Sequence, residues 1–340
     1  MKKSASKQAF VTFVMRNDAF IPGALVFAYA LRRQKSRADL VCLIDEHVTE
    51  AGMQALEHVY DRVIRLQSVY VPHDKRHERQ DRPFLFTRFQ ALRLGRDGDL
   101  PGGYEKIVIA DADLLPLRSY DTLFTAPSPA GVINEHKESC MESKNGQYII
   151  PDSVYENGTW LWHQVYEPYP FGTPIPKTIT DRVLNDIDNM GVNAALYVLK
   201  PSMGLYRSIE ADLADPIMRE KISTWPWPEM QYITAKLSGS WHNLDLRYSS
   251  FNGYPMPEVL YGIHYAGLKP WATKHRSVPH YAKKEDYRLW YRVFWHMVEQ
   301  VPSLREHSKV REVERFVRTL ADQPQALYTS PQNGLFDHLF

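Results

Sequence analysis

Cysteine is scarce: the 340 residues contain two, Cys42 and Cys140, which excludes a disulfide framework. Cys42 lies in an apolar run and reads as a small buried thiol, so a reducing compartment fits. Net charge is nearly missing too, since 41 basic and 40 acidic residues leave +1; no global field draws the chain to nucleic acid or anionic lipid. No apolar run reaches the ~20 residues of a membrane helix. The basic start Met1-Lys2-Lys3 passes into Ala9-Phe10-Val11-Thr12-Phe13-Val14 too quickly for a signal segment. A cytoplasmic protein with no membrane span is therefore expected, and the sequon Asn157-Gly158-Thr159 reads as chance. The glycine motifs of phosphate cradles are also absent. Neither G-x-G-x-x-G after the first strand nor G-x-x-x-x-G-K-[ST] occurs anywhere, so dehydrogenase and P-loop readings lose their signature.

What remains is an ordinary globular composition, 44% apolar and 24% charged. The length allows one large domain or a catalytic domain with additions. The first third alternates strand and helix signals: a strand over 10–14, a helix over 19–32, a strand over 40–44, a helix over 49–60 and a strand over 63–66. Such alternation predicts βαβ units and a mostly parallel sheet. A charged stretch over 73–82 reads as a solvated loop or a mobile lid, and a helix is expected over 84–94. Residues 131–190, rich in Pro, Gly, Tyr and Trp, read as a long irregular insertion. A strand returns over 191–199, followed by helices from Ser202 and from near Glu229. Tyr287, Trp290, Phe294 and Met297 recur at helical spacing and read as packing, and Val310, Val313, Val317 and Leu320 predict a further helix.

Within this frame Asp111-Ala112-Asp113-Leu114 places two carboxylates one residue apart behind the strand-like run Lys106-Ile107-Val108-Ile109-Ala110. In an extended segment residues i and i+2 project to one side, so Asp111 and Asp113 can face one divalent ion. Carboxylates favour magnesium or manganese, which substrate phosphate usually completes. Read alone, such a pair is more often a surface turn of two solvated acids. A second cluster, His264-Tyr265-Ala266-Gly267-Leu268-Lys269-Pro270-Trp271, joins an imidazole, a glycine and a cation suited to phosphate. Together the segments hold what a metal-bound diphosphate requires.

With the N-terminal block Ala9-Phe10-Val11-Thr12, Asn17-Asp18-Ala19-Phe20 and Gly23-Ala24-Leu25, these motifs resemble the glycogenin-like retaining glycosyltransferases of family 8 over roughly the first 280 residues. The resemblance implies a GT-A type, Rossmann-like α/β fold with a mostly parallel central sheet flanked by helices. It implies that Asp111, Asp113 and His264 hold Mn2+ (or Mg2+) on the diphosphate of a UDP-sugar. Phe20 would stack on uracil and Asn17 would contact base or ribose, while Phe13 and Ala112 would line the nucleotide. Arg88 and Asn193 would lie beside the donor sugar or phosphate, Gly267 and Lys269 would bind the diphosphate, and Lys269 would stabilise the departing UDP.

Family members commonly carry Asp-Gln in the helix facing the donor sugar, whereas this chain reads Glu229-Met230-Gln231; Glu229 and Gln231 are the catalytic candidates there. The position that best matches glycogenin's acceptor tyrosine reads Ser250, with Tyr248 nearby, so an external glycan, protein or small-molecule acceptor is expected, with Trp225 and Trp227 shaping its site. The expected organisation is a catalytic domain over 1–280 and a helical extension over 281–340, with a homodimer allowed and no nucleic-acid partner. A sugar nucleotidyltransferase, or a catalytically altered nucleotide-sugar-binding protein, remain the alternatives.

Overall fold

The structure, a computed structural model, describes residues 6–74, 80–133, 142–144, 147–149, 169–253, 257–320 and 336–339. Cys140, the sequon at 157–159, part of the 73–82 loop and much of the 131–190 stretch lie outside these residues.

Strand β1, Gln8–Val14, buries six of its seven residues, and β2, Asp39–Asp45, buries all seven. Covered on both faces, they carry near-continuous apolar runs instead of alternation, as central parallel strands do. Strand β3, Arg62–Leu66, is more exposed and closes one edge. Beyond it come β4, Lys106–Ala110; β5, Leu114–Pro116; β6, Ala130–Ile133; the hairpin strands β7, Glu142–Lys144, and β8, Gln147–Ile149; β9, Val192–Leu199; β10, His242–Asn243; β11, Ser250–Phe251; and β12, Gly262–His264. The central sheet runs β10-β6-β9-β4-β1-β2-β3, with β9 alone antiparallel to its neighbours. From β1 the chain goes outward to β2 and β3, then returns to place β4 on the opposite side of β1. That reversal opens a crevice beyond the carboxyl ends of β1 and β4, where doubly wound sheets bind ligands.

Helix α1, Ile21–Arg33, has Pro22 in its first turn and buries every residue from Ile21 to Leu31. It is covered all round because the sheet lies on one side and the C-terminal helices lie on the other. The helices used below are α2, Glu50–Glu57; α3, Met203–Ala214; α4, Pro216–Thr224; α5, Pro228–Lys236; α6, Glu285–Gln300; and α7, Ser308–Leu320. On α6, Tyr287, Trp290, Phe294 and Met297 are all buried, with Trp290 and Phe294 stacked 5.5 Å apart. The stripe is packing.

Three local expectations change. The helix over 84–94 begins at Arg82 and is wound in three-residue turns, with eleven of its thirteen residues buried; it has no solvent face to produce a periodic stripe. At the start of the stretch read as irregular, Ala130–Ile133 is a central strand, too short to show a period. Gly131 is required there because a Cβ would lie 2.2 Å from Val192 Cγ1. At the far end, Lys177–Thr180 and Arg182–Asn185 are helical turns. Among the described residues no helix is long and apolar enough to cross a membrane.

The turn leading into α1 is tied down from two directions. Asp18 accepts from the Thr49 backbone at 2.9 Å and the Thr49 hydroxyl at 2.5 Å, and pairs with buried His307 at 3.0 Å. Burial raises the Asp18 pKa, but the hydrogen bonds from Thr49 and His307 outweigh it and hold the carboxyl below its ordinary 3.8. A depressed carboxyl contributes stability that is present above its unfolded value and lost as pH falls through its folded one, here below about pH 4. Asp18→Asn should cost ~1 kcal/mol at neutral pH and flatten the fall in melting temperature between about pH 6 and pH 3. Identical acid dependence in the two proteins would remove Asp18 from this account.

Candidate active site

The ladder of β4 stops at Ala110 and β5 starts at Leu114, so Asp111 and Asp113 lie in a turn and not in the extended strand that their spacing suggests. The Leu114 amide closes that turn onto Asp111 O at 3.3 Å. Their oxygens converge all the same, because both flanks are held. The Asp111 amide donates to Ala195 O on β9 at 2.9 Å, and the Tyr265 amide donates to Asp113 O at 2.9 Å. Strand β12 pairs antiparallel with β5, setting His264 opposite Leu114. His264 Nε2 therefore lies 3.4 Å from Asp113 Oδ1, and one ligand atom from each of Asp111, Asp113 and His264 lies within 4.8 Å of the others. Lys269 Nζ reaches Asp113 Oδ2 at 2.5 Å and also donates to Tyr265 O at 2.6 Å and Ala266 O at 3.1 Å.

Buried acids need partners. Arg88, itself buried, donates from Nη2 to Asp111 Oδ1 at 2.8 Å and from Nη1 to Ala194 O at 2.8 Å, with Glu229 Oε1 3.9 Å from Nη1. Burial works against the guanidinium charge, but Asp111 and then Glu229 overcome it and raise the Arg88 pKa. Burial pushes the Asp111 carboxyl up, with Arg88 opposing. Asp113 goes the other way: against its burial, Lys269 and His264 hold it well below the usual carboxylate range. Asp113 Oδ1, His264 Nδ1 and Asn193 Nδ2 are buried without a hydrogen-bond partner. An oxygen-rich donor set with one imidazole and an uncommitted carboxylate oxygen fits a hard divalent cation.

These groups line one cleft of ≈ 210 Å³ beyond β1 and β4, with Phe13, Phe20, Arg88, Ala112, Asn193, Glu229 and Lys269 among its walls. Phe20 stays 37% exposed and meets Trp271 edge-on at 5.5 Å. Three candidates are not brought to the cleft wall. Asn17 Oδ1 accepts from the Ala19 amide at 2.8 Å and caps the turn. Gly267 lies in the loop between Ala266 and Leu268, of which only Ala266 is in the wall. Gln231 is fully buried and braces a loop: Nε2 donates to Ile187 O and Asn189 O at 2.7 and 3.0 Å, and Oε1 accepts from the Trp227 amide at 2.9 Å. Two helical residues turn about 200°, so Glu229 and Gln231 cannot face the same way; the acid faces the cleft and the amide does not.

Trp227 lines the cleft, whereas Trp225 is buried away from it under the Lys221 ammonium at 5.4 Å. Tyr248 and Ser250 are also buried away from the cleft, the tyrosine hydroxyl 2.6 Å from Thr122 Oγ1. Sequence reasoning passed over Arg16. It sits at φ +70°, in the left-handed region, its amide donating to buried Asp45 Oδ2 at 2.6 Å and its guanidinium 5.1 Å from the Phe84 ring centre. Its place directly after β1, at the mouth of the crevice, was the available signal.

No protein-family model matches the chain. An uncharacterized protein of Acanthamoeba polyphaga mimivirus is 24% identical over 277 residues, 78% of this chain and 83% of that protein. Human glycogenin-1 is 33% identical over 168 residues, 48% of this chain and 45% of that protein. Further relatives carry the names glycogenin and UDP-glucuronate:xylan alpha-glucuronosyltransferase. The chain spans less than half the length of the glycogenin and glucuronosyltransferase relatives it matches. Among solved structures, the galactosyltransferase LgtC in complex with donor and acceptor sugar analogs aligns with TM-score 0.50 at 12% identity, covering 95% of this chain and 98% of that one. The fold is thus the GT-A fold of glycosyltransferases. With these relatives, the chain is similar in sequence to the glycogenin-like glycosyltransferases.

One glycine holds the site's three segments together. A Cβ on Gly23 would lie 2.4 Å from Trp271 Cη2 and 2.6 Å from Ala112 O, so α1, the acidic turn and the loop carrying Lys269 meet at a backbone without a side chain. Gly23→Ala should force them apart at a cost of ~1–3 kcal/mol, net of the helix propensity gained, read as a lowered denaturant midpoint. An unchanged midpoint would contradict the close approach.

Proposed function

We propose that this cleft binds a UDP-sugar and that the protein is a metal-dependent retaining hexosyltransferase acting on the hydroxyl of an external acceptor. The observation that carries the reading is the convergence of Asp111, Asp113 and His264, with Lys269 beside them, over the β1–β4 crevice. A manganese or magnesium ion held by those three side chains would supply positive charge to the diphosphate. Phe20 offers an exposed ring beside the first turn for the uracil, and Phe13 lines the same end. Lys269 is the cation for the leaving group: breaking the bond from anomeric carbon to phosphate leaves charge on UDP, and a fixed ammonium stabilises that charge as it develops. Asn193 presents a buried amide N–H to the donor sugar, and Glu229 presents a carboxylate that can stabilise positive charge on the ring. Trp227 gives an aromatic face on which an acceptor sugar can pack. The burial of Tyr248 and Ser250 away from the cleft supports an external acceptor over self-glycosylation. We assign catalysis to residues 1–280, with the helices of 281–340 buttressing α1.

The test is UDP release from a panel of UDP-sugars with manganese, magnesium or chelator. Asp113→Ala should abolish metal-dependent turnover, and Lys269→Met should lower kcat by ~100-fold or more and also lower the melting temperature, because buried Asp113 loses its cation. Release that proceeds in chelator and survives Asp113→Ala would overturn the reading.

A further inference from the structure

The cleft has a charge layout that bears on which donors it admits. Strands β1, β4 and β9 are adjacent in the sheet, so the groups at their ends lie in line. Phe13 belongs to β1, Asp111 and Asp113 follow β4, and Asn193 is the second residue of β9. A nucleotide sugar laid across this edge with its base over β1 and its diphosphate over β4 carries its sugar over β9, beside Glu229. Resting on the donor reading above, we propose that Glu229 makes the site selective for uncharged hexosyl donors and turns away hexuronates such as UDP-glucuronate.

Among the described residues, the cations around the cleft that could welcome a uronate carboxylate are committed or misplaced. Arg16 lies at the β1 end, against Phe84. Lys269 and His264 are on Asp113. Arg88 is the cation at the sugar end, but its Nη2 is spent on Asp111 and its Nη1 on Ala194 O. Its Nε is shut off from solvent, so the guanidinium offers no open edge for a bidentate carboxylate. What faces the sugar instead is the carboxylate of Glu229, almost fully buried in its ion pair with Arg88. A hexuronate would set a second carboxylate against it in a site of low exposure, where like charges repel strongly and neither can be solvated. A neutral hexose suits the same groups: its hydroxyls can donate to Glu229 and accept from the buried, unpartnered Asn193 Nδ2. Rejection by an unpaired buried charge discriminates more sharply than a change in pocket size.

The experiment measures dissociation constants by calorimetry, with manganese present, for UDP, UDP-glucose, UDP-galactose and UDP-glucuronate, on the wild type and on Glu229→Gln. In the wild type, UDP-glucuronate should bind at least tenfold more weakly than the tighter of the two neutral donors. In Glu229→Gln that gap, with each affinity taken relative to that of UDP for the same protein, should narrow at least threefold; a cooperative melting transition shows that the variant is folded. UDP-glucuronate binding as tightly as the neutral donors in the wild type, or a gap that survives the substitution, overturns the proposal while leaving the donor reading intact. Failure of UDP itself to bind brings down both.

Discussion

Two carboxylates at the end of a buried strand must be neutralised, and most of the site's architecture follows from how that is done. Asp113 is buried and Asp111 half-buried among the sheet, α1 and the β5–β12 pair, so each needs positive charge or hydrogen-bond donors supplied from elsewhere in the chain. Arg88 arrives from the tightly wound 82–94 helix, whose burial on nearly all sides holds the guanidinium in place. Lys269 and His264 arrive through the antiparallel pairing of β12 with β5. Balancing the acids thus draws together three segments separated by many residues. The same arrangement leaves Asp113 Oδ1 without a hydrogen bond, the atom that a divalent cation would use.

The central strands were legible because burial on both faces writes itself as continuous apolar residues. Gln8–Val14 and Asp39–Asp45 each extend an expected run by two residues, and Lys106–Ala110 matches its expected run. Strands of two to four residues left no such mark. Ala130–Ile133, His242–Asn243 and Ser250–Phe251 are fixed by neighbours in the sheet, not by their own pattern. Residues 82–94 were seen as helical but not as three-residue turns, since a segment buried all round has no stripe to set its period.

Within the site, the cluster of Asp111, Asp113, His264 and Lys269 was readable because residue type alone restricts what such groups can do together. Glu229 and Gln231 were not separable in that way, since both are polar and both lie in the first turns of α5. Only the orientation of the helix decides that the acid meets Arg88 while the amide clamps the loop at Ile187 and Asn189. Arg16 was missed for a related reason. Its role comes from a left-handed backbone fixed by Asp45, and no side-chain pattern announces it.

Strand direction explains why Asn193 sits at the start of β9 when the acids follow the end of β4. Strand β9 runs against β4, with Ala110 opposite Leu196 and the Asp111 amide bonded to Ala195 O. Its amino-terminal residues therefore lie at the same edge of the sheet as the carboxyl ends of β1 and β4. Side chains alternate between faces along a strand, so a slip of one residue in this pairing would turn Asn193 to the opposite face. The same slip would carry Ala194 O away from Arg88 Nη1 and leave the guanidinium short of a partner. Register between β4 and β9 thus governs both the Asn193 amide at the β9 side of the cleft and the cation that balances Asp111. This couples two walls of the cleft through backbone hydrogen bonds.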